Sequence, residues 1–153
     1  MRTDSIPVSG RVLALDWGTA RIGVAISDET QLVASPLAVL HRRAGKRFPL
    51  GPFLTLVEQQ TPAGLVVGLP LDDDGREGNH AHLAREMGEL CAARAGLPLA
   101  FVDESFSTAD TLTMLHVSGH GSQASGLKSD LDAFAAAELL QQWLDQRHRE
   151  RGG

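Results

Sequence analysis

Two apolar runs separated by a short turn constrain the fold of this chain more than any other feature. The runs Val12–Trp17 and Ile22–Asp28 flank a turn that contains Gly18, which predicts a β-hairpin. Both faces of the first run are apolar, as in a strand that is covered on both sides. Asp16 interrupts the run where the strand ends, and a buried carboxylate must be paired, hydrogen-bonded or bound to a metal. Asp16 is therefore a candidate functional residue, with strand-end hydrogen bonding as the alternative.

Strand-like and helix-like segments alternate after the hairpin. Apolar runs at 32–40, 65–69 and 99–103 predict an edge strand, a buried parallel strand and a further strand, with helices over about 49–60, 80–95, 107–116 and 130–149. This alternation predicts an α/β domain with a mixed central sheet. We expect residues 1–9 to be a disordered lead-in, residues 10–149 to form a single domain, and residues 150–153 to be a tail. The last helix is expected to bury one stripe: Leu131, Phe134, Ala135, Leu139 and Trp143.

The composition fits one globular domain outside the membrane. The chain has 153 residues, of which 42% are hydrophobic, and no apolar stretch approaches the about 20 residues that span a bilayer. Residues 1–10 lack the basic start and apolar block of a secretory signal, so we expect a cytoplasmic protein with no membrane partner. The net charge of −5 does not by itself indicate a nucleic-acid binder, although basic clusters occur at 41–47 and 147–151.

Three acidic residues fall at comparable places in the predicted fold. Asp16 ends the first strand, Glu104 follows the strand at 99–103, and Asp132 lies in the predicted first turn of the last helix. Because ligands bind at strand ends in open α/β sheets, we expect these carboxylates to converge. Converging carboxylates need a cation, and hard oxygen ligands favour Mg²⁺ or Mn²⁺. Such a site supports phosphodiester hydrolysis without a nucleophilic side chain.

Each of these carboxylates also has a structural alternative. Asp132 could complement the positive end of its helix or complete a capping box that begins at Ser129. Asp130 competes with it as the third ligand. Glu104 could be an exposed loop acid, with Asp103 as the strand-end group that matters.

Four separated blocks resemble the YqgF family of small bacterial proteins. The blocks are Leu15–Asp28, Val66–Leu71 with Asp74 and Gly75, Asp103 with Glu104, and Asp132 with Ala135 and Ala136. The family is described as ribonuclease H-like, as pre-16S rRNA nucleases and as Holliday junction resolvases. The resemblance implies a ribonuclease H-like fold with helices on both faces of the sheet. It also implies an acidic site at Asp16, Glu104 and Asp132 that binds divalent metal and cleaves nucleic acid with activated water.

The resemblance implies roles for further residues. Arg21 would lie beside the site, Ser27 and Asp28 would help to close it, and Lys128 is a candidate substrate contact before the last helix. The chain departs from the family where Ser105 replaces an arginine directly after the predicted catalytic glutamate. Serine cannot hold a phosphate through paired hydrogen bonds as arginine can.

The leading hypothesis is a metal-dependent nuclease that processes the 5′ end of pre-16S rRNA in ribosome biogenesis, with structured RNA as substrate and a ribosomal or pre-ribosomal partner. The choice of rRNA rests on the resemblance alone. A Holliday junction resolvase that cuts four-way DNA junctions is the alternative with the same chemistry, and a two-fold dimer would favour it. A non-catalytic RNA-binding protein is the alternative without cleavage chemistry. The turn Asp16–Thr19 also resembles the phosphate loop of actin-like ATPases and sugar kinases, but those proteins close two lobes and this chain has the length for one.

Overall fold

Strands and helices alternate along the chain as the sequence predicts. The computed structural model describes residues 6–17, 21–42, 48–70, 78–103 and 124–152, and in the last range it describes side chains from residue 131. These ranges contain β1 (Val12–Asp16), β2 (Arg21–Ser27), β3 (Ala34–His41), α1 (Leu50–Gln60), β4 (Gly64–Leu69), α2 (Asn79–Ala95), β5 (Leu99–Asp103) and α3 (Ala124–Gly152). The short helix predicted over 107–116 lies outside the described residues. Within the described ranges, no helix is both long and apolar enough to cross a membrane.

The strands form one mixed sheet in the order β3-β2-β1-β4-β5. β1 and β2 form the predicted antiparallel hairpin, and β3 adds antiparallel to β2 at one edge. Pro36 lies in this edge strand, where a residue without an N–H group is tolerated. β1, β4 and β5 run parallel, so their carboxyl ends share one end of the sheet. We call this the Asp16 end.

The sheet separates two apolar layers. Alternate residues of the central strands pack with α1 and α2 on one face, in a cluster that includes Leu13, Leu65, Val67, Phe53, Ala84 and Cys91. The other residues pack with α3 on the opposite face, in a cluster that includes Val12, Ala14, Val66, Ala136, Leu140 and Leu144. The predicted fold class is confirmed: a mixed central sheet opens with a hairpin and carries helices on both faces.

Helix α3 approaches the sheet closely at Gly23 of β2. A Cβ atom built on Gly23 would overlap the backbone carbonyl of Asp132. Ala25 continues this small surface along the same face of β2, where it is fully buried. Because only a glycine leaves the space, the backbone of α3 rests directly on the hairpin at this point.

The buried face of α3 differs from the predicted stripe. Leu139 and Trp143 are buried as expected, but the other three members of the stripe, Leu131, Phe134 and Ala135, are only partly buried. The face against the sheet instead includes Ala133, Ala136, Ala137, Leu140 and Leu144. The stripe was wrong because the pattern favoured large apolar residues, whereas a helix that touches a sheet backbone needs small residues at the contact.

A buried arginine joins three parts of the chain at the end of the sheet opposite to Asp16. Arg147 of α3 donates hydrogen bonds to the carbonyl oxygen of Ile6 and, at 3.3 Å, to Oε1 of Gln31. The side-chain amide of Gln31 donates to the carbonyl oxygens of Pro7 and Gly10, each at 2.9 Å. We call these contacts the arginine clamp. The structure therefore differs from the predicted lead-in at Ile6, which is buried, and from the predicted tail, because α3 continues to residue 152.

The contact at Gly23 can be tested with Gly23→Ala. The added methyl group must push α3 away from β2, and we expect a loss of about 1–3 kcal/mol in the free energy of unfolding, measured by urea denaturation. Gly51→Ala in α1 is the matched control, because no atom lies within 4 Å of a Cβ at that position. We expect the control to be neutral or more stable by about 0.5–1 kcal/mol. Equal stabilities for the two variants would contradict the close contact.

The arginine clamp can be tested with Arg147→Leu. This change removes the donors for two buried acceptors, and we expect it to lower the free energy of unfolding by about 2–4 kcal/mol. The control is Arg149→Leu, at an exposed position on the same helix, for which we expect a change within about 0.5 kcal/mol. Similar small losses for both variants would show that the clamp contributes little.

Candidate functional site

Asp16 lies in the middle of the Asp16 end of the sheet. Its partners in neighbouring strands are Gly23 on β2 and Gly68 on β4, and Gly68 pairs in turn with Val102 on β5. Residues paired in this way share a face of the sheet, so Asp16 lies on the face that α3 covers. Asp16 is half-buried, and both of its strand partners are glycines without side chains.

Asp132 reaches the same region from α3. Its backbone contacts Gly23, and Gly23 is the strand partner of Asp16, with their Cα atoms about 4.5–5.5 Å apart in such a pair. The helix begins at Ala124, so Asp132 lies in its third turn and the predicted first-turn position is wrong. The helix-terminus and capping roles do not apply, because those effects are confined to the first turn. The glycine and serines before Asp132 lower helix propensity, which is why the pattern placed the helix start too late.

Arg21 forms an ion pair with Asp132. The guanidinium Nε of Arg21 donates to Oδ2 of Asp132, and the two side chains are 35% and 28% exposed. Arg21 begins β2 two residues before Gly23, so it shares the face of Gly23 and Asp16. The predicted position of Arg21 beside the acidic residues therefore agrees with the structure.

The remaining predicted ligands lie at the limits of the described residues. Asp103, the last residue of β5, is exposed and pairs with Leu69, one step beyond the row that contains Asp16. Glu104 follows it in the chain and lies outside the described residues. The backbones of Lys128 and Asp130 belong to α3, with Lys128 one turn before Asp132, but their side chains are not among those described. Of the two competing aspartates in α3, the structure describes a sheet contact and an ion pair for Asp132.

Ser27 and Asp28 do not join this region, which corrects their predicted role in closing the site. β2 runs antiparallel to β1, so the end of β2 lies beside the start of β1. The hydroxyl of Ser27 accepts a hydrogen bond from the backbone N–H of Val12 at 2.9 Å. Val12 is four residues from Asp16, or roughly 13 Å along an extended strand. The predicted hairpin already implied this separation.

Asp28 organises the turn between β2 and β3 instead. Its Oδ1 accepts the backbone N–H groups of Leu32 and Val33 at 2.9 and 3.0 Å, and its Oδ2 accepts the hydroxyl of Thr30. These hydrogen bonds, that from Thr30 most of all, lower the pKa of Asp28 from 3.8 to about 2. The turn holds Gln31 in a left-handed conformation with φ of 60°, which presents its side chain to the arginine clamp.

An aromatic and basic cluster lies next to Asp16 on the other face of the sheet. The ring of Trp17 stacks on Phe48 with 5.7 Å between centroids, and the guanidinium carbon of Arg42 lies 4.9 Å from the centroid of Trp17. Trp17 is only 6% exposed. His41 pairs with Arg21 across β2 and β3, so the basic cluster at 41–47 begins at the Asp16 end. The sequence could have indicated this, because an antiparallel edge strand returns the chain to the hairpin turn.

The donor chemistry of this region fits a hard divalent cation. Asp16 and Asp132 supply carboxylate oxygens on neighbouring elements, and the strand partners of Asp16, Gly23 and Gly68, carry no side chains that would compete for a cation. Within the described residues, no group of three acidic, histidine or cysteine side chains is assembled. The third predicted ligand, Glu104, lies outside those residues, so the fit rests on the two carboxylates.

Comparisons with known sequences agree along nearly the whole chain. A family model described as "RuvX: Holliday junction resolvase" matches residues 10–146. A protein of Anaeromyxobacter sp. (strain Fw109-5) named "Putative pre-16S rRNA nuclease" is 38% identical over 90% of this chain and 98% of its own length. Proteins with the same name from Dechloromonas aromatica (strain RCB) and Mycobacterium ulcerans (strain Agy99) are each 38% identical, over 91% and 94% of this chain and 93% and 84% of their own lengths.

Two solved structures share the fold. RuvC of T. thermophilus in complex with a Holliday junction substrate matches with a TM-score of 0.56 and 16% identity, over 90% of this chain and 95% of that chain. A second Thermus thermophilus RuvC structure matches with a TM-score of 0.54 and 16% identity, over 93% and 96% of the two chains. These matches confirm the predicted ribonuclease H-like fold.

The turn formed by Asp28 predicts a pH-dependent contribution to stability. Because folding lowers the pKa of Asp28 to about 2, its stabilisation is present above about pH 4 and is lost as the pH falls toward 2. We expect Asp28→Asn to be less stable than the wild type at pH 6, with a difference that shrinks between pH 4 and pH 2 in urea denaturation. Thr30→Val, which removes the strongest hydrogen bond to Asp28, should show part of the same effect. A difference that stays constant down to pH 2 would contradict this role.

Proposed function

The chain belongs to the RuvX (YqgF) family, and from this premise we propose that the Asp16 end of its sheet is the active site of a metal-dependent nuclease that processes the 5′ end of pre-16S rRNA. One observation carries the proposal: Asp132 meets the hairpin at Gly23, the strand partner of Asp16, at the carboxyl end of the parallel strands. This is the place where open α/β sheets bind ligands.

The proposed metal ligands are Asp16, Asp132 and Glu104, with Mg²⁺ or Mn²⁺ as the cation. Carboxylates are the ligands that these cations prefer, and Asp16 and Asp132 lie on adjoining elements beside two glycines. A bound cation would supply an activated water and would neutralise charge that develops on the scissile phosphate. The protein holds the two described ligands on rigid elements, since β1 is central in the sheet and α3 rests on β2.

Basic residues around the acidic region are the proposed substrate contacts. Arg21 lies beside Asp132, His41 is the strand partner of Arg21 on β3, and Lys128 lies one turn before Asp132 in α3. A local basic surface of this kind can bind a phosphate backbone although the net charge is −5. Arg147, from the second basic cluster, is buried in the arginine clamp and is not part of this surface.

The names of the relatives support the choice of RNA as substrate. We further propose that the protein acts in the cytoplasm on structured precursor RNA, with a pre-ribosomal partner. Resolution of four-way DNA junctions is the second candidate, because the matching family model is described as a Holliday junction resolvase. Both functions use the same cleavage chemistry, so the substrate must be decided by experiment.

The proposal is tested by cleavage of an end-labelled 5′ leader of pre-16S rRNA and of a four-way DNA junction, each with Mg²⁺ or Mn²⁺. We expect Asp16→Asn, Asp132→Asn and Glu104→Gln to lower the cleavage rate by about a hundredfold or more, because each removes a metal ligand. Asp145→Asn, at an exposed aspartate of the same helix, is the matched control and should cut at the wild-type rate.

Preferential cutting of the leader would establish RNA processing, and preferential cutting of the junction would establish the resolvase. If the folded wild type cuts neither substrate, or if the ligand variants cut as well as the control, the nuclease is contradicted and a non-catalytic RNA-binding protein is favoured.

A further inference from the structure

Arg21 holds one of the proposed metal ligands in the structure. Its Nε donates to Oδ2 of Asp132, which joins the start of β2 to the third turn of α3 across 111 residues of sequence. Both side chains are about one third exposed, so a solute can reach the pair. An ion pair with this exposure is weak, because solvent screens it and two side chains must be ordered. The pair is therefore able to open when either partner finds a stronger one.

We propose that Arg21 is a positioning residue that occupies Asp132 until Asp132 binds a cation, and that it is then released to hold a phosphate of the substrate. This inference rests on the proposed function. It adds an order to the reaction: the guanidinium of Arg21 becomes available to a phosphate only after the acidic site has bound a cation.

Arg21 and a bound cation would compete for the carboxylate of Asp132. A cation bound by Asp132 and the guanidinium of Arg21 repel each other across one carboxylate, and at Oδ2 they also compete for the same oxygen. When Asp132 turns to a divalent cation, the pair with Arg21 must weaken. Arg21 begins β2 on the face that contains Asp16, so its released side chain stays beside the acidic residues.

The chemistry of arginine suits the second half of this role. A guanidinium carries five N–H donors in a planar fork and binds phosphate oxygens in pairs. Arg21 is the arginine that the structure shows in contact with Asp132, a proposed metal ligand.

The test is isothermal titration of Mn²⁺ into the wild type, Arg21→Gln, Arg21→Lys and Arg42→Gln, without nucleic acid. We expect Arg21→Gln to bind Mn²⁺ about threefold to tenfold more tightly, because the competing partner of Asp132 is gone. Arg21→Lys keeps a cation that can pair with Asp132 and should remain within about twofold of the wild type. Arg42→Gln removes the same charge from the same end of the sheet, but Arg42 lies against Trp17 on the other face, and it should also stay within about twofold.

A double-mutant cycle tests whether Arg21 acts through Asp132. In the Asp132→Asn background, Arg21→Gln should leave the residual Mn²⁺ affinity unchanged. If Arg21 only supported the structure, Arg21→Gln would bind Mn²⁺ more weakly than the wild type, because its removal would damage the site.

The outcomes separate the inference from the function on which it rests. If the wild type binds Mn²⁺ and Arg21→Gln binds it equally or more weakly, the role of Arg21 is overturned and the metal site stands. Equal tightening by Arg42→Gln would overturn it too, since a general charge effect would explain the result. If neither the wild type nor any variant binds Mn²⁺, the proposed metal site is contradicted, and the role of Arg21 is contradicted with it.

Discussion

The rest of the structure depends on the contact between the backbone of α3 and Gly23. It brings a helix from the last part of the fold onto the hairpin from the first part, and it does so at the strand partner of Asp16. A larger residue at Gly23 would separate the two elements and move Asp132 away from the sheet. The glycine in β2 is therefore part of the geometry of the acidic region, although it contributes no chemical group to it.

Much of the fold could be predicted because it is recorded in local patterns. The apolar runs of β1 and β2, the helix stop at Gly96 and the alternation of strands and helices each depend on neighbouring residues. The start and the buried face of α3 could not be predicted in this way, because contact with Gly23 selects small residues and stabilises a segment of low helix propensity. Ser27 was misassigned for a different reason: the family block was read as one unit, while the antiparallel hairpin separates its two ends.

The distribution of positive charge shows why composition alone says little about partners. Arg147 is buried in the interior and does not reach the surface as a free charge. Its guanidinium carbon lies 4.7 Å from the centre of the Trp143 ring, and its N–H groups donate to a backbone and a side-chain oxygen. Arg21 and Arg42 lie instead at the Asp16 end, on opposite faces of the sheet. A phosphate group at the Asp16 end would interact far more strongly with Arg21 than with the overall charge of −5, since screening limits the reach of distant charges to about 8–10 Å.

The arginine clamp has a consequence for the order in which the molecule is assembled. Arg147 contacts the carbonyl of Ile6 across 141 residues, so one of its bonds closes a very long loop. The entropy of closing such a loop slows the formation of contacts of this separation. During synthesis the hairpin emerges from the ribosome long before α3, and the uncovered face of the sheet must wait for that helix. A newly made chain therefore acquires Asp132 at its acidic region only after α3 has been translated.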